Sequence, residues 1–158
     1  MISLHASAVV LREWGVVIRG DSGAGKTSLA LALIENMLRK QQFAALIGDD
    51  RVDLTALGAR LVAHGRAKTA GLAERRGLGL VRTPHLARAV VALVVDLSAT
   101  KEPSPRLPEA EAYRTSLAGV DVARMALTHA LSVESGVALV MDALVSLGTI
   151  GRAHVDFP

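Results

Sequence analysis

The chain has 158 residues, 51% hydrophobic and only 3% aromatic, with 18 Lys and Arg against 15 Asp and Glu and a net charge of +3; that length suits one domain, and the small aliphatics suit helices packed closely on a sheet. The absence of cysteine excludes a disulfide frame and any thiolate metal site. No apolar run reaches the ~18 residues of a membrane span, no signal-peptide pattern opens the chain, and the basic residues lack the interleaved aromatics of a nucleic-acid surface, so a cytoplasmic protein is expected, its basic surplus either a solvated surface or a match to an anionic ligand or partner.

Ser3 to Leu11 reads as a strand, Arg12 to Gly15 as a turn and Val16 to Arg19 as a second strand, the two pairing as a hairpin. His5 lies on the first. If its ring faces the loop after Arg19 it can bond a phosphate or a carboxylate there; a structural strand histidine is the other reading. Gly20-Asp21-Ser22-Gly23-Ala24-Gly25-Lys26-Thr27 then spells the phosphate-binding loop, G-x-x-x-x-G-K-[ST], with a strand before it and a helix after it. Its glycines let successive N–H groups point at phosphate oxygens, and the helix that follows adds unpaired N–H groups and a positive dipole end. Nucleotide phosphates are therefore expected against residues 20–27 and Ser28. Lys26 can reach the outer phosphates, and the Thr27 hydroxyl can ligate Mg²⁺.

The helix from Ser28 to about Arg39 or Lys40 carries Leu29, Leu33 and Met37 as one apolar stripe, widened by Ile34 and Leu38. Phe43 to Ile47 reads as a strand ending at Gly48-Asp49-Asp50. Beside a phosphate loop, one carboxylate at a strand end can hold Mg²⁺, and an adjacent one can take the proton of an attacking hydroxyl. Val52 to Leu54 and Arg60 to Ala63 read as strands joined through Gly58. Gly65 to Pro84 reads as loop with a short helical piece. Within it, Glu74-Arg75-Arg76-Gly77-Leu78-Gly79 offers a carboxylate for the metal and an arginine for phosphate or a protein partner. Ala89 to Leu97 is the expected central strand. Lys101 to Pro108, with three of the five prolines, is expected to be an exposed loop. Val120 to Thr128 reads as a strand, and Val137 to Leu147 as a helix stopped by Gly148.

Taken together, these motifs resemble HPr kinase/phosphorylase, specifically its catalytic domain. The loop at 20–27 matches that family's G-D-S-G-x-G-K-[ST], and His5 sits at the spacing of its active-site histidine. Leu46-Ile47-Gly48-Asp49-Asp50-Arg51-Val52 is similar to L-[IV]-A-D-D-x-V. Residues 74–79 are similar to the signature E-[IL]-R-G-[LIV]-G, and Arg114 falls near the catalytic arginine. The resemblance implies an α/β phosphate-loop kinase fold like that of phosphoenolpyruvate carboxykinase, a mixed sheet with flanking helices. It implies ATP and Mg²⁺ as cofactors, HPr (the phosphocarrier of the sugar phosphotransferase system) as the protein that receives phosphate on a serine, and a homo-oligomer, hexameric in the family. By the same resemblance, His5, Lys26, Asp49, Asp50 and Arg114 are catalytic, Thr27, Asp50 and Glu74 serve the metal, and residues 74–79 meet HPr. Residues 1–158 are expected to be a single catalytic domain without the family's N-terminal regulatory domain. Three departures stand out: a longer helix after the loop, Arg75 in place of an aliphatic residue, and no match to the P-V-[RK]-x-G-R-N segment tied to dephosphorylation. The kinase direction is therefore expected rather than phosphorolysis. On the residues alone, a small-molecule phosphate-loop kinase and an ATP-binding sensor stay open.

Overall fold

Short runs of Val, Ile, Ala and Leu bounded by turns give strands wherever the chain can bury both their faces. The computed structural model describes residues 1–98, 113–128 and 131–148; the expected proline-rich loop lies outside them. In chain order the elements are β1 (Ile2–Leu4), β2 (Ala6–Leu11), β3 (Trp14–Gly20), α1 (Lys26–Arg39), β4 (Ala44–Gly48), β5 (Val52–Leu57), β6 (Arg60–His64), a 3₁₀ turn (Ala67–Thr69), β7 (Leu72–Arg75), β8 (Gly79–Arg82), β9 (Arg88–Ser98), β10 (Arg114–Leu117), β11 (Val120–Thr128) and α2 (Val133–Ser146).

Among the described residues nine strands join in one mixed sheet, and β7 and β8 make a separate two-stranded hairpin. The long strand β9 is where the sheet forks. One of its edges pairs with β3 in parallel. On its other edge, the first residues pair with β6, antiparallel, and the later ones with β11, parallel. Alternation along the strands then fills two cores. Val16, Ile18, Leu93 and Val95 meet Leu29, Leu33, Ile34 and Met37 of α1 and Val140 and Leu144 of α2. Val10, Val17 and Val94 face the opposite way, onto Val52, Leu54, Leu61 and Val122, where the sheet curls over itself. Each fully buried Leu, Ile or Met contributes about 1.5–3 kcal/mol.

The structure differs from the sequence reading in four places. The run 3–11 is two strands, because β1 pairs with β5 while β2 pairs with β3 and β4; His5 sits at the break. Residues 65–84 contain the β7–β8 hairpin as well as the short helical turn. Strand β10 pairs with β11 across a tight turn. Helix α2 starts at Val133, four residues before the expected point, with the Ser132 side chain accepting the Ser135 N–H as its N-cap.

This topology brings five chain segments to one rim. Strands β3, β9 and β11 end there, with Gly20 and Leu127 both opposite Leu97. Strand β4 ends there too, with Gly48 opposite Ala8 of β2, whose start lies on the same rim. The order along the rim is β4, β2, β3, β9, β11.

Candidate active site

A cavity of about 610 Å³ opens along that rim. At its centre lies the phosphate loop. Gly25 caps α1 with φ 97° and provides no side-chain cap bond. A left-handed cap of that kind is cheap only for glycine, and the exposed amides with the helix dipole form an anion cradle. Lys26 is buried, and its ammonium donates to the Gly20 and Asp21 carbonyls at 2.8 and 2.9 Å. The cation is thereby held at the loop's inner wall.

On one side of the loop, the two adjacent aspartates take different partners. Asp49 lies 2.9 and 3.1 Å from the Thr27 hydroxyl through its two oxygens. It also accepts the Ser7 hydroxyl at 2.6 Å and the Glu74 N–H at 3.2 Å. Asp50 turns away to His5, whose Nδ1 is 3.0 Å from its Oδ1. The backbone causes the split. Asp50 has φ 66°, and the Arg51 N–H bonds the Asp49 carbonyl at 2.8 Å, which makes a three-residue turn of the rarer, strained kind. The Asp50 carbonyl accepts the Ala6 N–H at 3.2 Å, pinning this turn to the β1–β2 break beside His5.

The β7–β8 hairpin supplies Glu74, Arg76 and Gly77 to the cavity wall. Arg76 lies over the loop, its guanidinium 3.9 Å from where a Gly23 side chain would begin. Arg75, Leu78 and Gly79 lie on the exposed part of this hairpin. The far end of the cavity is largely apolar: Leu97, Leu127, Leu131 and Val133, with Gly136 of α2. Thus His5, Lys26, Thr27, Asp49, Asp50 and Glu74 are brought together, with residues 22–28 of the loop region. Arg114 is not. It is exposed at the start of β10 opposite Ala123, separated from β3 by β11 and β9, and does not line the cavity.

Beneath the rim, on the face away from the helices, Asp96 of β9 receives Arg19 of β3 at 2.7 and 2.8 Å and Arg124 of β11 at 2.5 Å. Burial alone would raise the Asp96 carboxyl, but the hydrogen bonds from Arg19 and Arg124 outweigh it and hold the group below its ordinary value. The network ties together the ends of the three parallel strands that carry the loop, Leu97 and Leu127.

Thr27 and Asp49 offer the hard oxygen donors that Mg²⁺ takes, one hydroxyl and one carboxylate, leaving the remaining positions to phosphate and water. Among the described residues no three acidic or histidine side chains converge as a protein-only cage. Two features escaped the sequence reading. Ser7 is fully buried in an apolar strand, and a lone hydroxyl there must find a partner; that was the available signal. The apolar end is assembled from strand ends distant in sequence, which no local pattern marks.

A protein-family model for the HPr serine kinase C-terminal domain matches residues 1–147. The HPr kinase/phosphorylase of Clostridium tetani is 36% identical over 83 residues, 52% of this chain and 25% of that protein. That of Treponema pallidum (strain Nichols) is 38% identical over 87 residues, 54% and 25%, and that of Mycoplasma genitalium 39% over 79 residues, 49% and 23%. The chain therefore spans about a quarter of the length of these relatives. The solved structure of the Hpr(Ser) kinase/phosphatase from Coxiella burnetii superposes with a TM-score of 0.75 at 22% identity, over 93% of this chain and 99% of that one, a likeness of fold. Among the described residues no helix is long and apolar enough to cross a membrane. With the match to the family model spanning nearly all of the described residues, the chain belongs to the HPr serine kinase C-terminal domain family.

Proposed function

We propose that this protein transfers the terminal phosphate of ATP, with Mg²⁺, to a serine hydroxyl of an HPr-type phosphocarrier, thereby regulating the sugar phosphotransferase system. The observation that carries the proposal is the division of the aspartate pair: Asp49 on Thr27 at the phosphate loop, Asp50 on His5 at the open side. A site that only sensed ATP would need the first carboxylate and not the second.

On this reading the outer phosphates of the nucleotide would lie toward β4 and the aspartates, with its base against Leu97, Leu127, Leu131 and Val133. From β3 to β11 is two strand spacings, about 10 Å, which matches the reach from triphosphate to base. Thr27 and Asp49 would hold Mg²⁺, with the Glu74 carboxylate in the same wall; the ion, when bound, neutralises phosphate charge. Lys26 offers its charge to the same oxygens. Asp50 accepts the proton of the incoming serine hydroxyl at a carboxylate oxygen. The new O–P bond forms as the bond to the leaving diphosphate breaks, and His5 holds Asp50 in line. A serine hydroxyl is a weak nucleophile, so orientation and charge supply most of the acceleration. Residues 74–79 form the docking edge for HPr, and Arg114 serves the reaction only if a bound partner, a second copy of the chain or a rearrangement brings it to the cleft. Self-association is part of this proposal, and sedimentation of the purified protein tests it.

The direct test uses γ-labelled ATP, Mg²⁺ and purified HPr, followed by excess inorganic phosphate. Label on an HPr serine is the expected result, and its persistence after phosphate is expected because residues 123–128 and 132–137 lack the basic dephosphorylation pattern. Bound ATP without transfer would overturn the kinase reading in favour of a sensor.

A further inference from the structure

The β7–β8 hairpin stands outside the main sheet, yet it contributes three residues to the active-site wall. Something must hold it there. Ala73 is buried in the helix-side core, with Val81 packed partly against it, and these two are opposite each other in the hairpin. That anchors its base. Its outer part is charged and exposed, with Leu78 and Leu80 more than 70% exposed, so no apolar contact fixes it. Beside the Glu74 N–H bond to Asp49, the contact that fixes it is ionic. Arg75 projects on the same side of its strand as Ala73, two residues on, and its guanidinium donates to the Glu35 carboxylate on α1. Arg39, one helical turn along at 3.9 Å, adds a second positive charge beside that carboxylate.

We infer that the Glu35–Arg75 pair is a positioning clamp, which locks the hairpin to the helix that follows the phosphate loop and so sets where Glu74 and Arg76 meet the phosphates. The inference rests on the proposed function for its consequence, but its geometry stands apart from it. On one side of Arg75, the Glu74 N–H donates to Asp49; on the other, Arg76 overlies Gly23. Releasing Arg75 frees both neighbours at once. The pair is a little under half exposed on each side. A surface pair of this kind adds little to global stability, so its worth lies in local order, where weakly held elements open without the whole fold. Neither Glu35 nor Arg75 touches the reacting atoms; both are positioning residues.

Hydrogen exchange of the Glu74 amide, read by NMR on the protein without nucleotide, tests the clamp directly. Arg75→Glu and Glu35→Lys should each speed that exchange by about two- to fivefold, the range of an exposed ion pair, with the melting temperature nearly unchanged. The double variant Glu35→Lys/Arg75→Glu re-forms the pair in reverse and should restore protection. Calorimetric titration with Mg²⁺·ATP should follow the same order: weaker in each single variant, recovered in the double. Unchanged Glu74 exchange in the single variants, or a double variant no better than either, overturns the clamp. A wild-type protein that fails to bind Mg²⁺·ATP overturns the kinase reading and leaves the exchange result to decide the clamp.

Discussion

Around Asp49 the polar groups are tied down: a buried serine, a loop threonine and a hairpin amide all converge on one carboxylate. Around Asp50, one residue along, the side chain is 75% exposed and its partner is the His5 ring. The same chemical group thus occupies two opposite environments, and the difference comes from one left-handed backbone residue in a three-residue turn. A fixed carboxylate suits Mg²⁺, which demands strict geometry. An exposed carboxylate oriented by a single partner suits a group that must meet an incoming hydroxyl and take its proton.

Removing what both regions depend on should have the largest effect. Lys26→Ala takes the buried ammonium from the loop and should lower phosphate transfer by at least about 10²–10³-fold, the scale of one preorganised charge-stabilising group. Mg²⁺·ATP affinity should fall with it, so titration and transfer assays move together. Asp50→Asn should separate them. We expect turnover lower by about 10²-fold, the lower end of what a positioned base contributes, with nucleotide affinity and melting temperature little altered because the residue is exposed. Wild-type turnover in that variant would remove Asp50 from the base role.

Asp49→Ala is the counterpart. It strips the Ser7 hydroxyl of its acceptor in a fully buried position, which should cost about 1–3 kcal/mol and lower the melting temperature by several degrees. The Mg²⁺ concentration for half-maximal nucleotide binding should rise as well. A melting temperature equal to wild type would show that the converging shell around Asp49 is not structural, and the contrast between the two aspartates would collapse.

Much of this contrast is legible in the amino-acid sequence, because its parts are local. The phosphate loop, the helix behind it and the strand ending at Gly48-Asp49-Asp50 are each encoded within a few residues. Which aspartate faces which partner was not legible, since φ at Asp50 is set by β4, by Arg51 and by the Ala6 contact together. The break at His5 was hidden for the same reason: residues 3–11 read as one continuous strand, and only pairing with β5 on one side and β3 and β4 on the other divides them. The β7–β8 hairpin looked like loop because its glycines and arginines carry no period-2 apolar pattern. Its order comes from the core that Ala73 enters, from Asp49 and from Glu35, all remote in sequence. The start of α2 was legible but missed, as Ser132 with Glu134 in the first turn is an ordinary N-terminal signal.

Asp96 extends the comparison to a third carboxylate, tied like Asp49 but by cations, and it predicts the smallest effect. Its carboxyl is held below the ordinary value of 3.8, so the unfolded chain takes up this proton at a higher pH than the folded protein does. Stability from Asp96 is then fully present above about pH 4 and is lost as pH falls through the lower folded value. Asp96→Asn removes that contribution at every pH. The variant should therefore melt below wild type at pH 5–7, by a margin that stays flat across that range, and the gap should narrow as pH drops from 4 toward 3. A gap that instead widened on acidification would mean that burial outweighs Arg19 and Arg124 and raises the Asp96 carboxyl in the folded protein, so that the pairing does not brace the strand ends. A gap that narrowed as expected would place a charge-built brace directly under the phosphate loop, separate from the neutral donors around Asp49.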